Sequence, residues 1–133
     1  MESPSDQGRY LCNDHRVGTS VLIADDHASF RRLARRLLET AGYTVVGEAS
    51  DGASTLAAVS ELRPDVVLLD VLLPDATGFA VADRIAAQPE PPVVLLTSSR
   101  SATDYGAAVA GRIFLAKSDL TPSRIEAALA GAA

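Results

Sequence analysis

From Thr19 onward, short aliphatic runs alternate with longer stretches in which apolar residues return every three or four positions. A continuous apolar run reads as a strand buried on both faces, whereas a 3.6-residue period reads as an amphipathic helix. Residues 21–24 are the first such run; Phe30, Leu33, Ala34, Leu37, Leu38 and Ala41 then keep helical spacing until Gly42 supplies a stop. The same reading predicts a second strand over 44–48, a second helix over 54–63 ahead of Pro64, and a third strand over 66–69. A third helix follows over 79–87, a fourth strand over 93–96 behind Pro91 and Pro92, a short fourth helix over 103–110, a fifth strand over 113–116 and a fifth helix over 123–130. Residues 1–18 show neither period and are expected to form a flexible tail, leaving 19–133 as one domain.

Strand and helix in strict alternation are the mark of parallel βαβ units. Residues 66–69 and 93–96 lack polar alternation, so helices should cover both faces of the sheet in a three-layer α/β/α sandwich. The first strand runs into Asp25-Asp26-His27 and not a glycine fingerprint. That favours the flavodoxin-like doubly wound order 2-1-3-4-5 and disfavours a dinucleotide site, where carboxylates would repel the pyrophosphate.

Composition narrows the picture further. The 133 residues are 47% hydrophobic with a net charge of -5, and no basic stripe is present, so direct nucleic-acid binding by this chain is not expected. The chain carries one cysteine, Cys12, no apolar run long enough to span a bilayer and no apolar leader, which makes a cytoplasmic protein with no membrane association the expectation. Of the twelve basic residues eleven are arginine and one is lysine, Lys117.

In open α/β sheets the working site lies beyond the carboxyl ends of the strands. There the predicted strands place Asp25 and Asp26, Asp70, Thr97 with Ser98, and Lys117 on one rim. Three carboxylates together repel, and a single lysine does not offset them. A divalent ion is the simplest remaining cation, and an oxygen-rich site with few protein ligands suits Mg2+, which shares phosphate oxygens readily. Such a set can handle a phosphoryl group, with a carboxylate as nucleophile and a hydroxyl and an ammonium on the phosphoryl oxygens.

In these residues the chain resembles the receiver domain of two-component response regulators. The matching pieces are the acidic pair after 21–24, the run 66–74 with Asp70 and Pro74 followed by Gly78, Leu95-Leu96-Thr97-Ser98, and Phe114-Leu115-Ala116-Lys117, covering residues 20–130. The resemblance implies that Asp70 is the phosphoacceptor and that Asp26, Asp70, the Leu72 backbone carbonyl and, through water, Asp25 hold Mg2+. It further implies that Thr97 and Lys117 contact the phosphoryl group and that Phe114 changes rotamer with Thr97 on activation. The implied phosphate donor is a histidine kinase or phosphotransfer protein, and the implied output is a protein partner reading the face from the fourth strand to the fifth helix. The interval from Thr97 to Lys117 is a residue or two shorter than is usual in that family, and Ile113 stands where a glycine is common, so the fourth helix or its turn should be shortened.

Duller readings exist for each residue: helix caps for the acid pair and Thr97, a turn residue for Asp70, a snorkelling surface lysine for Lys117. His27 as part of a zinc set would need Cys12 and His15 to fold back. Arg31, Arg32, Arg35 and Arg36 read as a solvated basic face on the first helix, or as a surface for the kinase. An aspartyl-phosphate phosphatase needs a second carboxylate two residues beyond its nucleophile, where this chain has Leu72. The nearest functional variants are the truncated receiver of a DNA-binding transcription regulator and a receiver-like binding module that works without phosphate.

Overall fold

The computed structural model describes residues 18–131. The expected tail lies outside the described residues except for Gly18, and so do Cys12 and His15. Five parallel strands form one sheet in the order β2-β1-β3-β4-β5, as the alternation predicts: β1 Ser20–Ala24, β2 Thr44–Ala49, β3 Val66–Asp70, β4 Val93–Ser98 and β5 Ile113–Ala116. The α-helices are α1 Ala28–Thr40, α2 Gly52–Leu62, α3 Gly78–Ala86 and α4 Pro122–Ala130. None of these helices is long and apolar enough to cross a membrane.

Successive strand residues point to opposite faces, so a fully apolar strand feeds two cores at once. Val21, Ile23, Val66, Leu68 and Leu95 pack with Leu38 of α1 and Ile125 of α4, while Leu22, Ala24, Val67, Leu69 and Leu96 pack with Val59 of α2 and Ile85 of α3. Sheet and two helix layers make the three-layer sandwich.

Local chemistry sets the helix ends. Gly42 takes a positive φ of 99° just past α1, which a residue with a Cβ adopts only with strain. α2 begins two residues earlier than its apolar period suggests because Asp51 accepts from the Ser54 amide, and the Asp75 carboxylate accepts from the Gly52 and Ala53 amides at 2.6 and 3.0 Å. Those amides hold Asp75 below the usual carboxylate range and tie the loop after β3 to the start of α2.

The fourth helix expected over 103–110 does not form. Its place is taken by two 3-10 turns, Ala102–Asp104 and Gly106–Val109, with Gly106 and Gly111 both at positive φ. The short interval and these two glycines leave too few consecutive residues for a capped α-helix, which is costly to nucleate. Tyr105 pins the segment instead. Its hydroxyl hydrogen-bonds the Ser98 hydroxyl at 2.5 Å, and its ring stands edge-on to Phe79 and Phe114 with centroids 5.5 and 5.9 Å away. Tyr105→Phe keeps the ring and deletes that bond, so thermal unfolding is expected to show a loss of about 1 kcal/mol. A melting curve indistinguishable from wild type would mean that the rings alone hold the turn.

Candidate functional site

Each polar residue singled out at a strand end is carried by an element whose own packing fixes it. Asp25 follows β1 directly, and its amide donates to the Ala49 carbonyl of β2. Asp70 closes β3 and is the register partner of Thr97 on β4, whose carbonyl accepts from the Val71 amide. Lys117 opens a 3-10 turn, Lys117–Asp119, immediately after β5. Parallel register therefore delivers these side chains to one rim. Asp25 and Thr97 are fully buried and Asp70 is 3% exposed, an unusual depth for two carboxylates.

The Lys117 ammonium lies 2.6 Å from Asp25 Oδ2 and 3.5 Å from Asp70 Oδ2, and the Asp70 Oδ1 accepts from the Leu72 amide at 3.3 Å. These contacts divide the two acids. Burial works to raise the Asp25 carboxyl, but the hydrogen bond from Lys117 and the His27 amide outweigh it and hold Asp25 below the usual range. Burial raises Asp70 with the Asp25 charge adding to it, and the more distant ammonium offsets only part, so its carboxyl is pushed up to about 6. The cluster thus has more negative charge than Lys117 neutralises.

Ligand atoms of Asp25, Asp26, His27 and Asp70 all lie within 4.8 Å of one another. The three carboxylates offer the hard oxygens that a divalent cation takes. Beside them the Thr97 hydroxyl is buried without a hydrogen-bond partner among the described residues. Buried hydroxyls are normally satisfied, so this one fits an acceptor arriving at the rim. The residues therefore suit a hard cation together with an oxyanion.

Other residues fall differently. Leu72 is 55% exposed, and its backbone amide donates to Asp70. Phe114 is partly buried, pairs with Leu96 in the sheet register and meets Tyr105 edge-on. The basic face of α1 is less free than its sequence suggests. Arg31 and Arg35 pair with Glu48 of β2 at 2.8 and 3.0 Å, and Arg31 also donates to the Asp25 carbonyl at 2.6 Å. Two neighbours of the acids stand differently from their sequence reading: there His27 is weighed only as part of a zinc set with Cys12 and His15, and Phe30 only as an apolar position of the first helix. His27 Nδ1 stands 3.1 Å from Asp25 and 3.0 Å from Asp26, and the Phe30 ring lies beneath Lys117. Position directly after the acid pair marks the histidine in the sequence; the helical period marks Phe30 as apolar but gives no sign of its pairing with Lys117.

The sequence model described as "Response regulator receiver domain" matches residues 21–129. Transcriptional regulatory protein PdtaR of Mycobacterium tuberculosis is 35% identical over 116 residues, which are 83% of this chain and 57% of that protein. A protein-glutamate methylesterase/protein-glutamine glutaminase of Hahella chejuensis is 38% identical over 84 residues, 63% of this chain but only 24% of the relative. The chain thus spans well under two thirds of these curated relatives. The solved signal receiver domain of the putative response regulator NarL from Mycobacterium tuberculosis superposes with a TM-score of 0.73 and 33% identity, over 87% of this chain and 96% of that one.

Proposed function

The chain belongs to the response regulator receiver domain family, and from that premise we propose that Asp70 accepts a phosphoryl group, with Mg2+, from a histidine kinase or phosphotransfer protein. The observation that carries this reading is the Asp70 carboxylate itself, buried and under-neutralised, with Lys117 on one side and the unpartnered Thr97 hydroxyl on the neighbouring strand.

The ionised Asp70 carboxylate is the nucleophile. One carboxylate oxygen forms a bond to phosphorus as the bond from phosphorus to the donor's histidine nitrogen breaks; that electron pair stays on the nitrogen, which takes up a proton. Lys117 pairs with a phosphoryl oxygen, and Thr97 donates its hydroxyl to another. Asp26, Asp70 and the Leu72 carbonyl would hold the Mg2+, with Asp25 behind them through water; when bound, the ion supplies positive charge to the phosphoryl oxygens and the attacking carboxylate. Engagement of Thr97 draws on β4 and frees room for Phe114 to change rotamer, shifting an existing equilibrium of the face from β4 to α4 that a protein partner reads. The chain is a switch in this reading, not an enzyme acting on other molecules. Transcriptional output through further domains is the second reading, favoured by the PdtaR match.

Incubation with Mg2+ and acetyl phosphate should give a phosphoryl-sized mass gain that is absent in Asp70→Asn. A wild-type protein that gains nothing, or a variant that gains equally, overturns the proposal.

A further inference from the structure

We propose that Phe30 is a positioning residue for Lys117, its ring holding the ammonium at the phosphoryl site as a third and uncharged anchor. This rests on the phosphoacceptor reading above and adds a residue to it. Phe30 is the third residue of α1, four positions beyond Asp26, so the first turn of the helix hangs it over the strand ends. Its ring packs against the core formed with Val21 and Ile23, and the Lys117 Nζ lies over its face 4.2 Å from the centroid. The negative face of an aromatic ring attracts a cation, most strongly where water is excluded, and Lys117 is only 17% exposed.

The value of a neutral anchor follows from the charges already present. Asp25 binds the ammonium at 2.6 Å and Asp70 stands 3.5 Å away. A further carboxylate would fix the lysine just as well but would cancel the charge that a phosphoryl oxygen needs. The ring fixes the ammonium and leaves its charge intact. It also restricts a flexible four-carbon side chain whose rotamer freedom would otherwise be lost on each phosphorylation event.

Lys117 is the only lysine in the chain, so its ε-methylene signal is a single assignable NMR resonance. In the wild type that resonance should lie upfield of its position in free lysine, because the ring shields protons above its face. Phe30→Leu keeps an apolar side chain and should return the signal to the ordinary position; Phe30→Tyr should retain the shift. With Mg2+ present, fluoroberyllate affinity should fall about five- to tenfold in the leucine variant and stay within about twofold in the tyrosine variant. An unshifted wild-type resonance, or a leucine variant that binds fluoroberyllate like the wild type, overturns the role of Phe30 alone. A wild-type protein that binds no fluoroberyllate overturns the phosphoacceptor reading and the role of Phe30 with it.

Discussion

Gly78→Ala is expected to lower stability by about 3 kcal/mol, near the upper end of the usual cost of forcing extra atoms into a packed site. The reason is steric. A Cβ on residue 78 would clash with the Asp70 carbonyl oxygen and meet the Val71 Cα at 2.8 Å. Both are backbone atoms of the segment leaving β3, so neither can swing aside as a side-chain tip would. The same close approach lets the Gly78 amide donate to the Val71 carbonyl, which anchors the start of α3 to the end of β3. Relief of the clash must push α3 away or displace Asp70, and either movement disturbs the proposed phosphoacceptor site. Thermal unfolding should show a fall of about 10 °C or more, and acetyl phosphate labelling should slow in the folded fraction. Gly131→Ala is the control, since a Cβ there comes no closer than 3.6 Å to any atom outside its own neighbours. If both alanine variants melt alike, the close approach at Gly78 is not the constraint described.

The strands were the most legible part of the sequence. Residues such as Val66, Val67, Leu68 and Leu69 alternate between two cores, and only a strand covered on both sides tolerates that run. Once the parallel order is set, the polar residue ending each strand must lie on one rim, which is why the sequence alone groups Asp25, Asp70, Thr97 and Lys117. Local period failed where local sequence is not what decides. In 103–110 the apolar spacing suits a helix, yet Gly106 at a φ of 56° and the long-range hydroxyl bond of Tyr105 to Ser98 fix two 3-10 turns. The arginines of α1 look solvent-bound from their spacing, but β2 places Glu48 opposite Arg31 and Arg35; burial works to raise its carboxyl, and the two guanidiniums together outweigh it and hold the group below the usual range. Phe30 and Lys117 are 87 positions apart along the chain. The tertiary fold, with α1 packed on β1, β2 and α4 and the Lys117 side chain reaching across the rim to the Phe30 ring, brings ring and ammonium together, so no spacing rule could pair them.

Removing one charge from the acidic rim is expected to stabilise the protein even as it abolishes phosphorylation. In metal-free buffer at pH 7, Asp70→Asn should be more stable than the wild type by about 2 to 3 kcal/mol. Burial, then the Asp25 charge, raise the Asp70 carboxyl from 3.8 to about 6, and a gap of that size corresponds to about 3 kcal/mol of penalty once the group is ionised. The sign follows from proton binding. Between about pH 4 and 6 the native protein keeps a proton on Asp70 that the unfolded chain has already released, so wild-type stability falls as pH rises through this window. Asparagine has no such proton, and its stability lacks that slope. Below pH 4 both forms carry a neutral side chain at position 70 and the difference should vanish. Asp25 acts in the opposite sense, its contribution being present above the ordinary carboxylate range and lost on acidification, and it is retained in both proteins together with its 2.6 Å pair to Lys117. Urea unfolding of both proteins at pH 4, 5, 6 and 7 measures the difference directly. Equal stability at pH 7, or an advantage of asparagine that persists unchanged at pH 4, would show that Asp70 is not under-neutralised. Since Mg2+ in the proposed site would offset the same excess charge, millimolar Mg2+ should stabilise the wild type more than the variant and close the gap from the other side.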